Sequence, residues 1–167
     1  ADRSDYDLSR HEKFSGKDLH LFVEGKGKVL PHVVAEPSFG VERAFLVFLC
    51  EAYNYDESRK NIVLKFFEKL CPIKAAIFPI VKDEKFVKLA RTIYLDLKKE
   101  FVCIYDESAS LGRRYARQDE IGTPYCITID GDSIKGKDVT IRNRDDTKQI
   151  RVKISELREI LRKLISS

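Results

Sequence analysis

The sequence lacks an apolar run long enough to cross a bilayer, a CxxC pair, an internal repeat and any stretch of low complexity. Each absence removes a class of protein. A spanning helix needs about 20 consecutive apolar residues, and none is present. The opening Ala-Asp-Arg-Ser-Asp has neither the basic segment nor the apolar segment of a secretion signal, so export is not expected. Cys50, Cys71, Cys103 and Cys126 stand far apart among apolar or aromatic neighbours, which predicts buried thiols in a reducing cytoplasm rather than a disulfide framework. His11, His20 and His32 are scattered without zinc spacing, so no metal site is expected.

What is present is the composition of a folded protein. Hydrophobic residues make up 43% and charged residues of both signs 35% of 167 residues, enough for one core with a partial second unit. The net charge of +4 is compatible with RNA without establishing it. Its distribution says more. Arg113, Arg114 and Arg117 surround Tyr115, and Arg142 and Arg144 stand two apart on a predicted strand, which sends both side chains to one face.

Two apolar segments, Leu19 to Val23 and Val29 to Val34, flank Gly25-Lys-Gly27 and predict a β-hairpin. A helix from Val41 to Tyr53 follows, apolar almost all round and in need of neighbours. Tyr53 to Asn61 is polar and reads as a connection, and 62–70 is ambiguous between strand and helix. A domain boundary is expected near Leu70, giving domains 1–70 and 71–167. Ile73 to Val81 reads as a buried strand, Phe86, Ala90, Ile93 and Leu97 as a helical stripe, and Phe101 to Tyr105 as a second strand, parallel to the first by right-handed crossover. Ser110 is a candidate cap for a helix through Asp119, and Pro124 to Asp130 is a third strand before the turn Asp130-Gly-Asp132. Strands at Val139–Arg142 and Ile150–Ile154 and a last helix capped by Ser155 complete an α/β fold, a mixed β-sheet flanked by helices.

Glu36-Pro-Ser38-Phe-Gly40-Val-Glu42-Arg43 runs into the apolar helix, so that a polar strand end opens a helix whose free amides and Arg43 suit a phosphate or a base. An ordinary strand-turn-helix connection with a surface Arg is the other reading of the same residues. This octapeptide resembles the third class-defining motif of class II aminoacyl-tRNA synthetases, in the form found in glycyl-tRNA synthetases of the archaeal and eukaryotic kind. Residues 1–11, Ala-Asp-Arg-Ser-Asp-Tyr-Asp-Leu-Ser-Arg-His, are similar to the segment before that motif. Gly112 to Asp130 and Val139 to Asp145 resemble the anticodon-binding domain of the same enzymes.

The resemblance implies the C-terminal portion of a cytoplasmic glycine-tRNA ligase: the end of the catalytic domain, as an antiparallel β plus helix remnant, and the anticodon-binding domain. Such enzymes join glycine to ATP as an aminoacyl adenylate and pass the aminoacyl group to tRNA. On that footing Arg43 and Glu42, with Gly40, would hold ATP and its Mg2+, and Glu36 and Ser38 would line the glycine pocket. Ala35 is an extra residue before Glu36, which in a strand reverses side-chain direction unless a bulge absorbs it. The first two class motifs have no counterpart, so the chain alone is not expected to form the adenylate. The second and third anticodon bases of glycine tRNA are cytosines, whose exocyclic amine calls for an acid. Asp119, Glu120 and Asp145 are the candidate acceptors, and Arg114, Tyr115, Arg142 and Arg144 the candidate backbone or stacking contacts. The full enzyme would be a homodimer with no membrane partner. A non-catalytic accessory subunit built on the same domain is the competing expectation.

Overall fold

The structure, a computed structural model, describes residues 3–34 and 37–166. The chain divides into two compact units, 1–44 and 45–167.

In the first unit, helix α1 (Tyr6–Ser15) ends at Gly16, whose φ of 66° lets its N–H return to the Glu12 carbonyl at 2.9 Å. The hairpin expected around Gly25 is present, with β1 (Leu21–Val23) antiparallel to β2 (Gly27–Val29) and Leu21 opposite Val29. Its second strand is shorter than expected and does not reach Val34. Val33 instead exchanges backbone bonds of 3.2 Å with Arg3 and Ser4. Helix α2 (Val41–Ala52) spans the division between the units. Its exposed side chains include Val41, Phe45, Leu46, Val47 and Phe48, as its apolar sequence required.

The second unit opens with a hairpin where a connection was expected. β3 (Tyr53–Asp56) and β4 (Asn61–Leu64) are antiparallel, with Val63 fully buried. Composition marks a change near Leu70, but compactness joins residues 45–70 to residues 71–167 in one unit.

A five-stranded mixed sheet forms the centre of this unit, in the order β6-β5-β7-β8-β9. β5 (Ala75–Pro79) is parallel to both β6 (Cys103–Tyr105) and β7 (Tyr125–Ile129); β8 (Asp138–Asn143) and β9 (Gln149–Lys153) continue antiparallel. All five residues of β5 and of β7 are buried, as expected for strands covered on both faces. On one face α3 (Glu84–Leu97) and α6 (Leu157–Ser166) bury Ala90, Ile93, Leu97, Leu157 and Leu161 against Ala75, Ile77, Ile127 and Ile141. On the other, α4 (Leu111–Ile121) covers Ala76, Phe78 and Cys126 through Leu111 and Tyr115. At about 25 cal/mol per Å² of apolar area, each fully enclosed Ile or Leu contributes roughly 1.5–3 kcal/mol.

Three local expectations change. Asp130-Gly-Asp132 does not end in a turn: it opens α5 (Gly131–Gly136) by a capping box, with Asp130 accepting from the Ser133 amide at 3.0 Å and Ser133 Oγ accepting from the Asp130 amide at 3.0 Å. Ser155 lies inside a short 3-10 turn, Ile154–Glu156, before α6. Ser110 holds the N-cap position of α4 without a side-chain capping bond.

Candidate functional site

Glu42 and Arg43 are consecutive in the first turn of α2, exposed, and without an ion pair or side-chain hydrogen bond among the described residues. The Gly40 carbonyl accepts the first helical bond, from the Ala44 amide at 3.0 Å. Gly40 is not among the residues with positive φ, so the helix start does not depend on that freedom here. Ser38 is exposed, while Glu36 and the extra Ala35 lie outside the described residues.

The expected RNA-contacting residues separate into two groups. Arg114, Asp119, Arg142 and Arg144 are all buried, at 3%, 2%, 6% and 2% exposure. Arg142 makes a two-pronged pair with Asp119 at 2.9 and 3.0 Å, and its guanidinium lies 4.7 Å from the centre of the Tyr115 ring. Burial works against the Arg142 charge, but Asp119 outweighs it and holds the guanidinium pKa above its ordinary value. Arg114 donates to the Pro79 carbonyl at 2.6 Å and lies over Phe78. Arg144 donates to the carbonyls of Gly122 and Phe66 at 2.9 and 2.8 Å and grips Asp145 at 2.7 and 2.9 Å. In this geometry the four side chains are engaged within the protein as a buried framework and offer no open face to a base. Burying charge is tolerated where it is paired and hydrogen-bonded, as it is for Arg142 with Asp119 and Arg144 with Asp145; Arg114 has only carbonyl acceptors, and its Nε is buried without a hydrogen-bond partner among the described residues.

Tyr115 is half-buried, sharing a 2.7 Å hydrogen bond with Thr128 and packing edge-on against Phe78. Burial raises its phenol pKa. Glu120 and Asp145 are exposed. Because Asn143 stands opposite Tyr125 at the start of β7, Asp145 lies at the amino end of the parallel strands. Glu120, near the end of α4, belongs to the same end.

One residue without a local signal joins this framework. Arg59, in the β3–β4 turn, donates to Asp119 at 3.3 Å and to the carbonyls of Arg144 and Asp145 at 2.7 and 3.0 Å. Asn61 adds a bond to the Ala116 carbonyl at 3.1 Å. Gly122, at φ +80°, makes room: a Cβ there would stand 2.7 Å from the Phe66 ring and 2.9 Å from the Leu64 carbonyl.

The cysteines divide as well. Cys71 and Cys126 are buried, Cys103 is intermediate, and Cys50 is exposed, contrary to the expectation of four buried thiols. Burial pushes the Cys126 thiol up to about 12. In the first unit His20 Nδ1 lies 3.1 Å from Glu12 and 2.9 Å from Asp18, a grouping that histidine spacing did not reveal. The Lys28 ammonium already bonds Asp18 and holds its carboxyl far below the usual range.

No helix among the described residues is long and apolar enough to cross a membrane. The fold is similar to that of solved tRNA synthetases. The chain is similar to a prolyl-tRNA synthetase from Cryptosporidium parvum complexed with halofuginone and AMPPNP, with a TM-score of 0.57 and 23% identity over 62% of this chain and 22% of that one. It is also similar to the RNA binding domain of a threonyl-tRNA synthetase from the same organism, with a TM-score of 0.50 and 24% identity over 55% of this chain and 23% of that one. Identities this low establish the fold alone.

Residues 74–164, more than half of the chain, match the family model described as "Anticodon binding domain", and the chain belongs to that family. Its curated relatives are named glycine–tRNA ligase. That of Borrelia hermsii is 42% identical over 96% of this chain and 37% of its own length, that of Clostridium beijerinckii 48% over 94% and 34%, and that of Bacillus cereus 44% over 99% and 36%. The chain therefore spans little more than a third of the relatives it matches.

Proposed function

We propose that this chain is the anticodon-reading part of a glycine–tRNA ligase, a cytoplasmic homodimeric enzyme that attaches glycine to its tRNA using ATP and Mg2+. One observation carries the reading: identity of 42–48% to glycine–tRNA ligases extends over nearly the whole chain, and within it residues 74–164 match the anticodon-binding family. Functionally, residues 1–70 belong to the catalytic domain and 71–167 to the RNA-reading domain.

The start of α2 suits the nucleotide. An exposed guanidinium at Arg43, without an ion pair among the described residues, can stack on a base or neutralise a phosphate, and Glu42 beside it can assist with the metal or the nucleotide. ATP, when bound, supplies the activation of the glycine carboxylate. Arg43, Glu42 and Gly40 orient it, while Glu36 and Ser38 receive glycine.

Open α/β sheets take ligands beyond the carboxyl ends of their parallel strands. The anticodon is placed there, on segments 80–83, 106–110 and 130–132, which follow β5, β6 and β7. Arg114 braces the end of β5 through the Pro79 carbonyl, and the Arg142–Asp119 pair ties α4 to β8. Replacing both anticodon cytosines in a glycine tRNA transcript should weaken binding to this chain by about 1–3 kcal/mol per base. Equal affinity for the altered transcript would refute anticodon reading. Glu120→Gln and Asp145→Asn, tested in the same titration, decide whether the exposed acids of the opposite end take part.

A further inference from the structure

Between α3 and α5 lies a groove of about 430 Å³ whose floor is formed by Leu89, Ile134 and Ile154 and whose rim carries Lys85, Lys88 and Lys137. Lys85, Lys88 and Leu89 share one stripe of α3, since residues three and four apart meet on a helix face. All three lysines are exposed, and among the described residues none of their ammonium groups has an ion pair or a hydrogen bond. No carboxylate lines the groove. Of the two acids that precede the stripe, Glu84 is not among the lining residues, and Asp83 is engaged as the α3 cap, accepting from the Lys85 amide at 3.0 Å. The neighbouring cations differ: Arg151 is bonded to Asp130 and Asp138, and Lys153 lies 3.6 Å from Asp138. Lys137 sits in left-handed backbone at φ 51°, a conformation that non-glycine residues seldom take, and its carbonyl is fixed by the Ile154 amide at 3.0 Å.

The geometry points to this groove as a phosphate-backbone contact for the RNA, distinct from the base-reading loops. It rests on the proposed function above and adds a second surface to it. Three uncompensated ammonium groups above an apolar floor complement a nucleotide step, with phosphates on the rim and a sugar or base face on Leu89 and Ile134. RNA is the polyanion favoured because the chain belongs to an anticodon-binding family. The groove is also placed for it. α3 follows β5 and α5 follows β7, so both walls rise from the carboxyl ends where the anticodon is proposed to lie. Lysines on a backbone carry no sequence information, so the contact should raise affinity for any transcript equally.

The test titrates the full 167-residue chain with two tRNA transcripts, one bearing the two anticodon cytosines and one with both replaced, at several salt concentrations. A Lys85→Glu, Lys88→Glu, Lys137→Glu variant should lose at least about tenfold in affinity for both transcripts, and its log–log salt slope should be shallower by about 2. The matching Lys→Gln variant guards against misfolding and should show a smaller loss in the same direction. Lys65→Glu with Lys69→Glu, distant in sequence from α3 and α5, should leave the slope unchanged. A triple variant that keeps the wild-type affinity and slope overturns the groove while leaving anticodon reading intact. A loss confined to the cytosine-bearing transcript also overturns it, because the lysines would then act through the bases. If the wild-type chain fails to discriminate the transcripts but the slope still falls, the groove stands and anticodon reading fails. Absence of binding to either transcript overturns both.

Discussion

The Asp119 carboxylate accepts both Arg142 amino groups, at 2.9 and 3.0 Å, across the space between α4 and the sheet, and Arg59 approaches it from the other side at 3.3 Å. One acid thus faces two cations, of which Arg59 also pairs with Asp56 at 3.1 Å, and the hairpin β3–β4 is tied to α4 through it. The pair with Arg142 is enclosed, with side-chain exposures of 3% for Asp119 and 8% for Arg142, so solvent screens it little.

Removing one partner should therefore be costly. Asp119→Ala leaves two guanidinium groups facing an empty site and is expected to destabilise the chain by about 3–5 kcal/mol in urea unfolding. The double change Asp119→Leu with Arg142→Met should cost much less, because it removes both charges and fills the space. Comparable losses in the single and double variants would refute the view that an unpaired buried charge dominates.

Arg43 should matter to chemistry and not to folding. On the proposed function, in a glycine–tRNA ligase carrying this chain behind a complete catalytic segment, Arg43→Ala is expected to lower glycine-dependent ATP–pyrophosphate exchange by about 100-fold or more, the scale of losing one well-placed charge donor. Its melting temperature should stay close to that of the parent, since the side chain is exposed and has no ion pair among the described residues. Exchange within a few-fold of the parent would remove Arg43 from the nucleotide site.

Acid should loosen the start of α5. Asp130 is bonded to Arg151 and to the Ser133 amide and hydroxyl, which together outweigh burial and lower its pKa from 3.8 to about 2. A carboxyl depressed on folding contributes stability that is present above its unfolded value and lost as pH falls through its folded value. Stability should therefore drop between roughly pH 4 and pH 2. Arg151→Gln should flatten that segment of the profile, as read by thermal unfolding at stepped pH. An unchanged slope would show that Arg151 does not set the Asp130 titration.

The sheet is legible where periodicity encodes burial. The apolar run at 73–81 and the stripe Phe86, Ala90, Ile93, Leu97 mark β5 and α3, and two short crossovers make the first strands parallel. Periodicity fails under α4, where the sheet contributes Arg142 and Thr128 beside Phe78 and Cys126. There an arginine-rich helix looks like a solvated or RNA-facing surface, although its charges are satisfied by partners remote in sequence. Arg59 shows the same limit, since Asp119 is 60 positions away and nothing near Arg59 announces it. Tyr53 to Asp56 reads as a connection because it is short and polar, yet its antiparallel pairing with residues 61–64 is what makes it a strand. The Asp130 cap does have a local signal, a serine three residues on, which the glycine between them masks.

The two edges of the five-stranded sheet are finished differently, and both finishes discourage the addition of another chain's strand. β6 has only three residues, too few to template a partner. β9 carries the long side chains of Arg151 and Lys153, ion-paired with Asp130 and Asp138, along its exposed length, so an approaching strand would have to displace charged groups and aliphatic bulk. Fibrillar stacking through this sheet is thereby disfavoured even when the domain is concentrated, and assembly of whole molecules is left to other surfaces.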